Sequence, residues 1–288
     1  MGERWSEPSA GEHEASTEPP GSPDALRYRS WSPTTEPPRA TLAVLSGVMS
    51  NTAWFRPLAE QWRVRGFHVL GVERRGSGLN AGQGRGDTES AEQLIGDALR
   101  VIEHGRAPGR PLVIVGWCWG AILGVHLALR LGEAVDGLAL LTPGLYPSAT
   151  LVERMAAVQA QGQGQPPEAP VLASPITDEM FTDGPALDGF IRRDEARWRT
   201  FSPRFLEVST KLSMAARMRL RKLVAPVLVV LAERDVTTDN ARMIAELARL
   251  PPERVRTVSL PGAHGLQFDA PEALAERLDA WARDALGV

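Results

Sequence analysis

Pro111-Leu112-Val113-Ile114-Val115-Gly116-Trp117-Cys118-Trp119-Gly120-Ala121-Ile122-Leu123-Gly124-Val125-His126-Leu127-Ala128-Leu129 decides the fold. A short apolar run of strand length comes first and a longer apolar run with helical character comes last. Between them stands Gly-x-Cys-x-Gly. In that setting the pentapeptide reads as a nucleophile elbow, a strained strand-to-helix turn with cysteine where serine usually stands. Glycines two before and two after Cys118 let the backbone fold tightly enough to expose the central side chain. The competing reading makes Cys118 a small buried hydrophobe in a glycine-rich turn. It leaves the spacing of the two glycines, and their strand-and-helix context, without a cause.

Strand-like and helical runs alternate on both sides of the elbow. Leu26-Arg27-Tyr28-Arg29-Ser30-Trp31 alternates as an edge strand and ends in a proline-rich turn from Pro33 to Pro38. Thr41-Leu42-Ala43-Val44-Leu45 is a buried strand. Residues 51–65 carry helical spacing stopped by Gly66, and Phe67 to Val72 resumes as strand. A helix over 87–104 leads to the elbow strand, and the helix after the elbow reaches about Leu131. A strand over 135–141 follows. After Lys222 the alternation returns as strand 227–231, helix 240–250, strand 254–258 and helix 271–286. This order predicts an α/β fold, a mostly parallel central sheet with helices on both faces.

From Thr142 to Lys222 the pattern changes to short amphipathic pieces around a Gln/Gly/Pro-rich linker at 159–170, as expected for a small helical cap over the ligand edge of the sheet. The organisation read from the chain is a disordered tail (1–23), a first core part (24–142), a cap insertion (143–222) and a second core part (223–288).

Composition removes several function classes. The 288 residues suffice for one large domain, and a net charge of −3 without a basic patch argues against nucleic acid and anionic membrane surfaces. The densest basic stretch, Arg217 to Lys222, alternates with apolar residues and reads as a solvated helix face. One cysteine excludes an intrachain disulfide and a cysteine-rich zinc site, and a free thiol suits a reducing compartment. No run approaches the ~18 apolar residues of a membrane span, and the start lacks a signal-peptide core. These features predict a cytoplasmic protein without integral membrane contact, of open oligomeric state; the small-molecule acyl substrate expected for it comes from the elbow and not from composition.

A cysteine nucleophile needs a base, because only the thiolate attacks effectively. His13 lies in the tail, His68 in a strand, and His104 and His126 on helices, which leaves His264 in the loop Pro261-Gly262-Ala263-His264-Gly265 after the last strand. The carboxylate that orients it should follow the preceding strand, where Asp235 is the best candidate and Glu233 and Asp239 are neighbours of like chemistry. The chain order Cys118, Asp235, His264 is the nucleophile, acid, histidine order of hydrolases built on successive strand ends. An oxyanion hole requires two backbone N–H groups. Trp119, the residue after the nucleophile, and Val48, in the loop after strand 41–45, are placed to supply them. Glu73-Arg74-Arg75-Gly76-Ser77-Gly78 lacks the Gly-Lys-Ser/Thr ending of a phosphate loop and reads as a structural loop beside the site.

These residues resemble the alpha/beta-hydrolase family, in the branch of monoglyceride lipases, lysophospholipases and serine-aminopeptidase-like hydrolases. The likeness runs from Asp24 to Leu286. It is carried by the elbow, by Glu73 to Gly78 (similar to that branch's Asp-x-Arg-Gly-x-Gly), by the acid loop at Asp235, by Gly262-Ala263-His264, and by cap-like segments at 175–182 and 190–194. The resemblance implies cleavage of an ester, thioester or amide without cofactor, and no metal is expected. The large apolar residues of the insertion, Phe181 and Trp198 among them, are expected to line an apolar acyl pocket, and Trp117 is likewise expected to touch substrate. Two departures stand out. The family usually has His-Gly at the oxyanion loop where this chain has Ser46-Gly47, and cysteine replaces serine, as in dienelactone-hydrolase and polyhydroxyalkanoate-synthase relatives. The leading expectation is a lipase-like or esterase-like hydrolase working through a Cys-His-Asp triad and an acyl-enzyme. Because a thioester yields readily to nitrogen and thiol nucleophiles, acyl transfer or cyclisation is the first alternative. A hydrolase-fold binding protein without turnover is the second.

Overall fold

The computed structural model describes residues 3–19 and 21–288. A short helix α1 (Glu3–Ser6) and strands β1 (Glu12–Ser16) and β2 (Arg27–Trp31) precede β3 (Thr41–Leu45). A single 3-10 turn, Thr52–Phe55, then runs directly into α2 (Arg56–Arg63), with Pro57 in the first turn, where its missing N–H costs no helical bond. Next come β4 (His68–Val72), α3 (Ala91–Gly105), β5 (Leu112–Trp117), α4 (Trp119–Leu131) and β6 (Gly137–Leu141). The helix α3 starts at Ala91 rather than at Asp87, because the Ser90 hydroxyl accepts the Gln93 N–H and caps it. Beyond β6 lie α5 (Ala149–Gln161), β7 (Leu172–Ala173), α6 (Ala186–Gly189), β8 (Thr200–Phe201) and α7 (Pro203–Arg219). The chain closes with β9 (Val227–Ala232), α8 (Asn240–Leu247), β10 (Val255–Leu260), α9 (Leu266–Asp269) and α10 (Pro271–Leu286).

The main sheet has the order β1-β2-β4-β3-β5-β6-β9-β10. The strand β2 is antiparallel to both its neighbours, and every pair from β4 to β10 is parallel. Every residue of β3, β5, β6 and β9 is buried, as a parallel strand covered on both faces requires. The helices α3, α4 and α7 pack on one another over one face, while α2 and α10 pair over the other. The fold is thus the expected alpha/beta-hydrolase architecture. In register, Leu45 pairs with Gly116 and Trp117 with Leu141, so the ends of β3, β5 and β6 open side by side. Loops leaving the carboxyl ends of such strands are where ligands bind.

The disordered tail expected for residues 1–23 needs correction. Residues 12–16 form β1, paired with β2 from Glu12 opposite Trp31 to Ser16 opposite Arg27, so β2 is internal and not the sheet edge. Polar composition misleads here because the charges are paired: the buried Glu12 carboxylate accepts from Arg56 Nε at 3.0 Å and lies 3.3 Å from Arg29 Nε. Arg56 also donates to the Trp5 and Ser6 carbonyls, while the Trp5 ring meets Phe268 edge-on. Met1, Gly2 and Pro20, which belong to the same expected tail, lie outside the described residues.

The segment between β6 and β9 reaches over the open strand ends. Asp194 accepts from Asn51 Nδ2 and Trp54 Nε1 at 2.9 and 2.6 Å, Trp198 N–H donates to Met49, and Gly265 N–H donates to the Phe181 carbonyl at 2.6 Å. It therefore touches both the loop after β3 and the loop that holds His264.

Candidate active site

Cys118 sits between β5 and α4 with φ +55° and ψ −119°, a conformation that side-chain-bearing residues rarely adopt. Such strain costs on the order of 1–3 kcal/mol and persists only where surrounding bonds enforce it. Three bonds do so: Cys118 N–H donates to Leu141, and its carbonyl accepts from Gly144 at 2.9 Å and Ala121 at 3.2 Å. The flanking glycines are explained by close approach rather than by their own angles. A Cβ at Gly116 would stand 2.6 Å from Ala121 Cα, and one at Gly120 would run into the Leu45 carbonyl oxygen.

His264 and Asp235 meet as a pair, with Nδ1 2.8 Å from Asp235 Oδ2 and both side chains fully buried. Asp235 Oδ1 accepts from Thr237 N–H and Thr237 Oγ1, each at 2.8 Å, and from Thr238 N–H at 3.2 Å. The Thr237 hydroxyl also lies 2.8 Å from His264 Nδ1. Sequence reasoning missed this threonine; its signal is the position two residues after an acid at a strand end, where a hydroxyl closes a turn on the carboxylate. Burial works against the charge on Asp235, but the His264 imidazole, then Thr237, hold its pKa below the usual carboxylate range. The neighbouring acids are excluded by their surroundings: Glu233 is exposed, and Asp239 caps α8 by accepting the Arg242 N–H.

Burial alone would depress the His264 pKa; the Asp235 carboxylate and then Cys118 overturn that and push it up to about 10. Its buried Nε2 makes no hydrogen bond among the described residues, so the thiol is a close neighbour that is not yet in bonding geometry. A geometry that tightens only with substrate bound is common in free enzymes. A stability prediction follows from the sign of this shift. A raised folded pKa stabilises the fold fully below the ordinary histidine value of 6.5, and that contribution fades as pH rises through about 10. The difference in unfolding midpoint between the native chain and His264→Gln is expected to narrow steadily over this window. A constant difference would show that folded His264 carries no extra proton.

The other histidines are engaged elsewhere: His68 with Ser30 Oγ at 2.7 Å, His104 with the Tyr28 hydroxyl at 2.8 Å, and His126 with the Leu212 carbonyl at 2.9 Å. His13, in β1, is exposed.

Val48, Cys118, Trp119 and Thr237 border one cavity of about 370 Å³, within the range of small-molecule sites. Ile122, Leu151, Met155, Phe201 and Phe205 make its wall apolar, and Arg217 is its only charged lining residue. Of Trp117, Phe181 and Trp198, expected to touch substrate, none lines this cavity. Each is buried behind it. Trp117 Nε1 and Thr142 Oγ1 donate to the His264 carbonyl at 3.1 and 2.9 Å, and Phe181 packs its ring against His264. Trp198 donates to the Gly76 carbonyl at 2.6 Å. Phe181 and Trp198, in the segment between β6 and β9, and Trp117, at the end of β5, hold the loops that carry the site. Among the described residues no cluster of three or more His, Cys, Asp or Glu is placed to hold a metal, and no helix is long and apolar enough to cross a membrane.

An elbow, an acid and a histidine on successive strand ends of this sheet define an alpha/beta hydrolase. The family described as serine aminopeptidase, S33, matches residues 36–270, and the chain belongs to that hydrolase family. Among solved structures it is similar to the monoacylglycerol lipase of Paleococcus ferrophilus, at 17% identity and TM-score 0.73, covering 93% of this chain and 98% of that one. It is also similar to a soluble variant of monoglyceride lipase from Saccharomyces cerevisiae, at 14% identity and TM-score 0.77, covering 91% and 92%. A thermostable carboxyl esterase from Bacillus coagulans gives 15% identity and TM-score 0.75, covering 96% and 99%. A comparison with curated proteins found no match.

Proposed function

We propose that the protein cleaves a carboxylic ester or thioester of an apolar acyl group through an acyl-enzyme on Cys118, with residues 143–222 acting as the cap. The observation that carries this reading is the strained Cys118 bordering an apolar cavity, with His264 held beside it by Asp235 and Thr237. In the proposed cycle His264 Nε2 holds the thiol proton, and the Cys118 sulfur adds to the carbonyl carbon. Val48 N–H and Trp119 N–H receive the oxyanion. The C–O or C–S bond to the leaving group breaks as His264 returns the proton. Water then repeats the sequence, losing a proton to His264 and releasing the acid while the sulfur leaves.

Sulfur at the elbow favours a second reading, transfer of the acyl group to an amine or thiol. A panel of p-nitrophenyl esters and acyl thioesters, each assayed with and without a primary amine, separates the two. Free acid as the main product supports the hydrolase, amide as the main product supports transfer, and no turnover of any substrate contradicts both. The reactive thiol suits a reducing compartment, and the proposal accordingly places the enzyme in the cytoplasm.

The cavity wall sets a chain-length prediction. Each methylene buried in it contributes about 0.8 kcal/mol, or roughly fourfold, so kcat/KM should climb with acyl length until the cavity is full. Met155→Trp, which puts bulk into the lining, should shorten the preferred chain. A flat length profile in both proteins would remove this cavity from substrate selection.

A further inference from the structure

The loop after β3 carries Ser46-Gly47 in place of the expected His-Gly, yet it is held by Arg74, a residue of the Glu73–Gly78 loop beside the site. Arg74 Nη2 lies 2.9 Å from the Gly47 carbonyl oxygen, 2.7 Å from that of Val48 and 3.2 Å from that of Ser50. Its guanidinium is stacked between two indoles, 5.0 Å from the Trp119 ring and 4.6 Å from the Trp198 ring. The residue is 5% exposed, and its Nε and Nη1 have no hydrogen-bond partner among the described residues. Burial lowers its pKa to about 10 against the opposing pull of Glu73 and Cys118, which leaves it charged at neutral pH.

One peptide unit gives this contact its meaning. The Gly47 carbonyl and the Val48 N–H belong to the same peptide group, so a cation bonded to that oxygen polarises that N–H and strengthens it as a donor. The bond to the Val48 carbonyl fixes the following peptide as well, so Val48 is clamped on both sides. Gly47 itself has no room to drift: a Cβ there would stand 3.0 Å from the Trp117 ring and 3.2 Å from Cys118 Cβ. The same guanidinium lies against Trp119, whose N–H is the other proposed donor.

We infer that Arg74 is the positioning residue of the oxyanion hole, holding and polarising the Gly47–Val48 peptide while its stack on Trp119 ties the two halves of the hole together. The inference rests on the proposed function, because it presumes an oxyanion at Val48. Lysine cannot reproduce it, since a compact ammonium does not fill the slot between two indoles as the planar guanidinium does, and so cannot tie Val48 to Trp119.

The test compares two reactions of Cys118. Acylation by p-nitrophenyl acetate passes through an oxyanion, whereas alkylation by iodoacetamide forms a thioether with loss of iodide and makes none. For Arg74→Lys, which keeps the charge, acylation should slow at least tenfold and alkylation should stay within about twofold of the native rate. For Arg74→Met the acylation loss should approach the ~100-fold expected when an oxyanion donor is lost. If Arg74→Lys does not fold, Trp198→Phe decides in its place, with a smaller loss confined to acylation. Equal losses in both reactions, or no loss in either, would overturn the inference while leaving the acyl-enzyme intact. A native enzyme that iodoacetamide alkylates but no ester acylates would overturn the proposed function and this inference together.

Discussion

Cys118→Ala is expected to abolish turnover, with a loss on the order of 10⁶ in kcat, the scale seen when a nucleophile is removed from a triad. The fold should survive. The residue is 6% exposed where it borders the cavity, and removing its sulfur leaves a gap no larger than one atom, worth about 1 kcal/mol of stability. Alanine also inherits the same strained φ, so the turn itself is not relieved. The measurement is kcat on any substrate the native enzyme turns over, together with the unfolding midpoint. Full activity in a folded Cys118→Ala protein would remove the nucleophile from the account. Cys118→Ser should keep detectable esterase activity, because the elbow geometry suits either atom; complete loss would tie the chemistry to sulfur.

His264→Ala is expected to cost on the order of 10⁶ in kcat, Asp235→Asn on the order of 10⁴, and the double variant little more than His264→Ala alone. The reason is geometric. Asp235 acts on the reaction only through His264 Nδ1, 2.8 Å away, so once the imidazole is gone the carboxylate has nothing to orient. Kinetics of the two single variants and the double variant decide this. Losses that multiply would mean independent roles. Asp239→Asn, at the start of α8, should leave kcat/KM within a few-fold of native, and a larger loss there than for Asp235→Asn would reassign the acid.

The parts of the molecule legible in the sequence are those where chemistry is written in short patterns. The apolar run over β5, the glycines at 116 and 120 and the helix after them specify the elbow locally, and backbone clashes at both glycines explain why no other residue fits. Asp235 and His264 were legible for a similar reason, since each follows the end of a buried strand within a few residues. What sequence could not convey is which way a side chain faces once the chain folds back on itself. Trp117, Phe181 and Trp198 are apolar residues near the site, and nothing in their spacing distinguishes a cavity wall from a loop support. In the structure they brace the loops around His264 and Gly76, while Phe201, Phe205, Leu151 and Met155 form the wall. The strand β1 was hidden because Glu12-His13-Glu14-Ala15-Ser16 has no apolar alternation; its order comes from Arg56 and Arg29, which are distant in sequence and pair with Glu12. Arg74 left one trace. Ser46-Gly47 stands where the resembled branch has His-Gly, which marks the loop after β3 as differently supported, and only the folded chain shows Arg74 bonded to its carbonyls.

Whether Cys118 carries the acyl group can be read directly by mass. The native protein should be mixed with a p-nitrophenyl ester of medium chain length, quenched in acid within the burst, and weighed intact before and after tryptic digestion. The predicted result is one acyl group per chain, borne by the tryptic peptide that contains Cys118, and absent from Cys118→Ala treated in the same way. Turnover of the ester with no acyl mass on that peptide, or an acyl group that persists in Cys118→Ala, would contradict it.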